Sequence, residues 1–208
     1  MAKNSTNVTL GARRVFANLS AAYFTPWVAK DKDTEGNEVY GEDKLGEKTY
    51  DLVDIVADST SVEQAENESS AIDHEFSGAP LFENISLGEK TFTTECIDLQ
   101  NDILKAMFGW ETDANGNALA PAGYKPLYCH VELHFNSTED ILVLPKVLLN
   151  SRAVIASMKT DVSRANITGT CYPAYISAGA AKGMTDMAII AKANKDLYTV
   201  AKDEASAA

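Results

Sequence analysis

Three polar side chains spaced two residues apart are the clearest opening for chemistry in this sequence. His130, Glu132 and His134 alternate with Cys129, Val131, Leu133 and Phe135. Alternate residues of a β-strand project from one face, so two imidazoles and a carboxylate would stand together. Imidazole nitrogens beside a carboxylate can seat zinc or a similar ion. A half-exposed sheet face would have the same composition, and the other histidine, His74, is far away in sequence. A second set lies in an acidic stretch. Asp31, Asp33, Glu35, Gly36 and Glu42 occupy the first, third, fifth, sixth and twelfth places of a calcium loop. The fifth place carries Glu rather than Asp or Asn. Pro26, Gly41 and Gly46 interrupt the helices that should flank such a loop. Asp113, Asn115 and Asn117 begin the same pattern, but Ala118 and Tyr124 stand where Gly and Glu are needed.

No glycine-rich phosphate loop, nucleophile elbow or dinucleotide fingerprint accompanies these groups. The sequence therefore nominates no catalytic residues and no cofactor, and the expectation is that the protein is not an enzyme. Cys96, Cys129 and Cys171 sit in apolar, strand-like runs and read as small buried hydrophobes. That usage fits synthesis in a reducing compartment. The sequence contains no apolar run of the ~20 residues that a membrane-spanning helix needs. Its N-terminus lacks the apolar stretch of a signal peptide, so the expected place of synthesis is the cytoplasm, with no membrane partner.

The formal charge of −12 is unevenly spread. It comes from residues 31–75, while acids and bases balance elsewhere. Such a block argues against nucleic-acid binding, which needs clustered cations to displace counterions. It reads as a solvated face, or as a surface that repels a polyanion or meets a basic patch on a neighbouring subunit.

The elements that must position these groups are mostly strands. Residues 1–12 read as an N-terminal arm. Leu10 to Trp27 reads as a strand or short helix ended by Pro26, and residues 30–49 as an acidic long hairpin or extended loop. Tyr50 to Val62 reads as a strand, residues 63–75 as a polar loop, and Phe76 to Leu87 as an edge strand. From Gly88 the pattern turns from strand to helix once. Asp98 is placed to cap a helix over about 98–108, with Ile103, Leu104, Met107 and Phe108 on one face and Gly109 as its left-handed stop. Residues 111–126 read as a loop turning at Asn115-Gly116. Leu127 to Phe135 is the cleanest strand. Ile141 to Leu149 is nearly all apolar, and Pro145 inside it implies an edge or a bulge. Val154 to Met158 and Ile167 to Tyr175 are further strands. Residues 176–208 read as a C-terminal arm or extension, with a helix over Met184 to Ala193 or a strand as alternatives. The expected fold is mainly β: a β-sandwich or barrel core over residues 13–175 with one flanking α-helix.

Within that frame, Ile72 to Gly109 resembles the tail tube (major tail) proteins of long-tailed bacteriophages. The resemblance is carried by Glu75-Phe76, Pro80-Leu81-Phe82-Glu83, Gly88, the strand Thr91 to Cys96 and the helix ending at Phe108-Gly109. It continues in order through Tyr128 to Phe135, Leu144-Pro145-Lys146-Val147 and Lys159 to Thr170. It implies a structural protein of the virion tail, whose hexameric rings stack into a tube that conducts the genome. Its implied partners are copies of itself and the tape measure, terminator and baseplate or tip proteins, with DNA passing unbound. The same resemblance implies that residues 30–49 supply an inter-ring hairpin. Asp31, Asp33, Glu35, Glu38, Glu42, Asp43 and Glu47 are then its lumen or inter-ring surface. The inner tube of a contractile tail or injection machine is the related alternative. A calcium- or carbohydrate-binding β-sandwich is the alternative of another class.

Overall fold

The computed structural model describes residues 16–73, 80–97, 99–113, 115–155 and 163–207. The strands that matter first are β1 (Leu19–Val28), β2 (Lys44–Leu45), β3 (Tyr50–Asp51), β4 (Ser61–Gln64), β5 (Glu68–Asp73), β6 (Pro80–Ser86) and β7 (Lys90–Cys96). The helix α1 (Asn101–Phe108) follows, then β8 (Glu111–Thr112), β9 (Ala118–Leu119), β10 (Leu127–Phe135), β11 (Ile141–Leu149), β12 (Arg152–Val154) and β13 (Arg164–Tyr172). The chain continues through β14 (Ala174–Ala178), β15 (Ala181–Thr185), β16 (Ala188–Ile190) and β17 (Thr199–Ala201). The fold is mainly β with one α-helix among the described residues.

The principal sheet runs β2-β1-β10-β11-β13-β7-β4, antiparallel throughout. It curls back on itself through residues 50–64. At the start of that segment, β3 pairs with β1 and the Leu52 N–H donates to the Ala22 carbonyl at 2.9 Å. Further on, Ile55 bridges to Cys96, the Val56 N–H donates to Glu95, and β4 pairs with β7. One stretch of chain thus joins the two sides of the sheet into a barrel-like wall. This corrects the expected strand over Tyr50 to Val62. Asp54 and Asp58 both take left-handed backbone angles (φ 59 each), which break a strand between its two pairings.

The interior is filled by alternate residues of the wall: Ala22 and Phe24, Phe92 and Cys96, Cys129, Val131 and Leu133, Val147 and Leu149, Ala165 and Ile167. Ile103, Ala106 and Met107 of α1 join the same cluster beside Leu127 and Leu149. The helix therefore completes the core rather than decorating it. Its end has the expected form. Gly109 is left-handed (φ 66, ψ 24), its N–H donates to the Lys105 carbonyl, and the Trp110 N–H donates to that of Leu104. Its start differs: the cap residue is Gln100, without a side-chain cap bond. Asp98 lies outside the described residues.

β11 explains its own uninterrupted apolarity. Cys129 pairs with Val147 and Val131 with Leu144, so Pro145 and Lys146 together oppose the single residue His130. This is a β-bulge at the proline, in a strand with neighbours on both sides. Leu142 and Leu144 face the barrel before it, Val147 and Leu149 after it. The other face, Ile141 and Val143, packs on Ile176, Ala178 and Ile190 in a second apolar cluster. Pro26 behaves differently from expectation too. It sits within β1, opposite Cys129, and its carbonyl accepts the Gly46 N–H. A proline with only its carbonyl in use need not end a strand.

Two further boundaries are corrected. Residues 63–75, expected as loop, hold the end of β4 and all of β5. β5 and β6 pair as a two-stranded ribbon continuing the β4–β7 pair outward. Six residues of β5 extend it by about 20 Å. Gly88 sits at its base, where a Cβ would come within 1.9 Å of the Ala65 carbonyl oxygen. Residues 30–49, expected as a long hairpin or extended loop, are mostly loop and fold against the end of β1 through β2 and a Val28–Tyr40 bridge. The C-terminal segment carries the sheet β15-β14-β17, and β16 pairs with β11. Met184 to Ala193 holds the end of β15, all of β16 and the start of a 3-10 turn at Lys192, not an α-helix. The arm expected over residues 1–12, His74, Glu75-Phe76 and Met158 lie outside the described residues.

Phe92 is fully buried and packs against Phe24, with ring centroids 5.8 Å apart. Phe92→Ala should cost about 3–5 kcal/mol in urea unfolding. Ile85→Ala, on the exposed ribbon, should stay within about 0.5 kcal/mol of the parent.

Candidate functional site

The strand β10 brings His130, Glu132 and His134 together on the outer face of the barrel, as the alternation predicts. Their arrangement is a hydrogen-bonded chain centred on the carboxylate. Glu132 Oε1 lies 3.4 Å from His130 Nε2, and Oε2 lies 3.2 Å from His134 Nε2. Tyr198, arriving from the segment before β17, donates its hydroxyl to Glu132 and lies 2.9 Å from His130 Nε2. Each imidazole thus directs its Nε2 at the carboxylate. Among the described residues no group of three His, Cys, Asp or Glu side chains has metal-holding geometry.

Position and burial explain the electrostatics. His130 is 3% exposed, beneath Tyr198, and its Nδ1 is buried with no hydrogen-bond partner. His134 stands edge-on to Tyr23 of β1 at 5.0 Å. Burial alone would raise the Glu132 carboxyl. Hydrogen bonds from His130, Tyr198 and His134 outweigh it and hold the group at about 2. Burial and the adjoining carboxylate push the Tyr198 phenol far up. Tyr198 therefore stays protonated and Glu132 ionised, a donor facing an acceptor. The cluster fastens the C-terminal sheet to the barrel. Sequence pattern did not reveal Tyr198, because it lies outside any strand and 66 residues from its partner.

The acidic stretch is more fully committed than its composition suggests. Asp33 accepts N–H groups from Glu35 at 2.9 Å and Asn37 at 2.7 Å, and the Asn37 side-chain amide at 3.2 Å. Glu38 accepts the Glu47 N–H. Glu42 turns away to Lys146, at 2.7 Å. Asp43 meets Lys202, and Glu47 meets Lys32 at 3.5 Å. Asp31 and Glu35 are exposed. Asp33 and Glu42 point to different partners, so the calcium-loop spacing does not become a ligand cage.

The second near-match has the same explanation. Asp113 accepts the N–H groups of Asn115 and Asn117 and the Asn117 amide, at 2.9, 2.8 and 2.7 Å. Gly36 and Gly116 both have positive φ, 84° and 89°. Asp33–Asn37 and Asp113–Asn117 are one loop design used twice: an aspartate organises the turn, and glycine allows it. Hydrogen bonds from Asn37 and from Asn117 lower the respective aspartate pKa values. The shared spacing that resembled a cation site is a turn signature.

Lys146 is the buried cation of this face, 8% exposed. The bulge at Pro145 delivers it over the rings of Trp27 and Tyr128, at 5.4 and 4.6 Å, beside Glu42. Trp27 is fully buried and donates its indole N–H to the Pro145 carbonyl at 3.0 Å. Cys96, Cys129 and Cys171 are all buried. Burial pushes Cys129 above its usual range and Cys171 up to about 12, which makes both poor nucleophiles. No helix of the described residues is long and apolar enough to cross a membrane. A comparison with protein-family models finds no match, and a comparison with curated proteins finds none.

The depressed Glu132 value carries a pH dependence. An unfolded glutamate titrates near 4.3, so ionised Glu132 adds stability above that pH. The contribution, of the order of 2 kcal/mol, is lost as pH falls from about 4.3 towards the folded value of about 2. Denaturant midpoints between pH 6 and 2 should show this loss in the parent. Glu132→Gln should lower stability at pH 6 and flatten the acid limb.

Proposed function

We propose that this chain is the repeating structural subunit of a phage-type tail tube, assembling as stacked hexameric rings of copies of itself. The observation that carries the reading is the ribbon β5–β6. It leaves the barrel as a pair of strands bonded to each other, with outer edges unpaired among the described residues. Ile85 in β6 and Leu87 just beyond it are 62% and 76% exposed. An exposed edge of this kind is an aggregation hazard in a solitary protein, and a neighbouring subunit removes the hazard by covering it. The sequence resemblance over Ile72 to Gly109 points the same way.

On this reading the long inter-subunit hairpin is the β5–β6 ribbon, residues 68–86, rather than residues 30–49. The ribbon region is also the acidic one. Between Lys48 and Lys90 the sequence has carboxylates but no lysine or arginine. A surface of that sign repels DNA phosphates and lets a genome slide past without binding. Asp31 and Glu35 remain lumen or ring-contact candidates. Glu42, Asp43 and Glu47 instead neutralise lysines of their own chain. Tape measure, terminator and tip proteins are the accompanying partners, and the virion tail is the location. The role is structural, without catalysis.

Negative-stain microscopy of concentrated protein should show rings or tubes with a central channel. Deleting residues 68–86 and closing the gap with a short glycine-serine turn should leave the barrel folded by circular dichroism and abolish those assemblies. A strict monomer at every concentration would overturn the reading.

A further inference from the structure

β15 and β16 diverge from the turn at Asp186-Met187. β15 pairs with β14 alone and β16 with β11 alone among the described strands. Each keeps one unpaired main-chain edge. Between them lies a recess of about 340 Å³ with Ile176, Ala178 and Ile190 in its lining. Met184 and Ile189, also lining it, are 57% and 40% exposed. Its charged lining residue is Lys182. Free strand edges beside an apolar recess are a template for an added strand: main-chain bonds give affinity and alternate side chains give register.

We propose that this cleft is the acceptor for the β5–β6 ribbon of a second copy of the chain. The ribbon has what the cleft lacks. Its outer edges are unpaired among the described residues, and Ile85 near the end of β6 and Leu87 just beyond it are exposed apolar side chains. Glu66, Glu68 and Glu89 flank it, with no lysine or arginine between Lys48 and Lys90. Lys182 pairs with Glu204 at 3.7 Å, and both side chains are mostly exposed, at 63% and 73%. Such a pair is weak and exchanges readily for a carboxylate from the ribbon. The ribbon's own base is held at the closed end of the cleft, where Lys90 meets Asp186 at 2.7 Å. Donor and acceptor are therefore fixed relative to one another in every copy, and each docking presents the next copy with a free ribbon and a free cleft. The inference rests on the reading of the chain as a self-assembling subunit and adds the surface that receives the neighbour.

The test mixes two full-length variants, Ile85→Cys and Met184→Cys, under mild oxidation. The three native cysteines are buried. The mixture should give a disulfide-linked dimer well above the level of either variant alone, and Lys182→Glu in the Met184→Cys chain should cut its yield by about tenfold. The same samples are imaged. Rings or tubes without the mixed cross-link overturn the cleft assignment and leave the subunit reading standing. The mixed cross-link in small closed dimers, without rings or tubes, supports the cleft and overturns the tube. A cross-link indifferent to Lys182→Glu overturns the electrostatic part of the docking.

Discussion

Proline 145 lacks a main-chain donor, and much of the molecule is arranged around that missing hydrogen. On one side β11 gains an extra residue relative to β10, and its inward face changes from even to odd numbers. On the other side β11 changes partner: β13 pairs from Lys146 onward, β16 as far as Val143. The wall opens at that point and admits the second sheet, whose apolar cluster forms on Ile141 and Val143. The proline carbonyl, still an acceptor, takes the Trp27 indole N–H, and the next residue, Lys146, is turned onto the aromatic faces outside. A single residue that cannot donate therefore sets the phase of the core, the attachment of the C-terminal sheet and the place of a buried cation.

That buried cation organises much of the acidic loop. Lys146 draws Glu42 inward while Lys202 of the C-terminal segment draws Asp43. The loop is thus tied at its end to two different layers. Exposed pairs such as Lys32–Glu47 add little to stability, but the half-buried Lys146 contact fixes position. Charge that looks in sequence like a free anionic patch is divided in the fold. Part serves turns and lysines of the same chain, while Asp31 and Glu35 stay exposed.

Legibility in the sequence follows from what each segment buries. β10 and β11 match their expected bounds because they lie in the wall and bury apolar side chains along their length. The helix is legible because Gly109 must be left-handed and Ile103, Leu104 and Met107 must share a face. The 63–75 segment hid its strand because β5, paired only with β6 among the described residues, carries no alternation of apolar and polar residues. Tyr50 to Val62 alternates like a strand, but Asp54 and Asp58 turn the backbone left-handed, which aspartate tolerates and hydropathy does not register. Of the candidate site, the His130–Glu132–His134 face was readable from period two. Its fourth member, Tyr198, depends on a tertiary contact across distant sequence. The calcium-like spacing reflected a turn design whose chemistry, aspartate oxygens facing backbone N–H groups, uses the same residues as a cation loop.

The ribbon also has a mechanical consequence. It is the outward continuation of β4 and β7, and β7 is stitched to β13 along most of its length. Hydrogen bonds between antiparallel strands lie perpendicular to the strands. A pull along the ribbon therefore loads the β4–β7 and β7–β13 bonds together, in shear, with the barrel as anchor. A pull across it meets them one at a time, beginning at Gly88. A chain joined to its neighbours through this element would be stiff to extension and compliant to bending, with the hinge at the glycine.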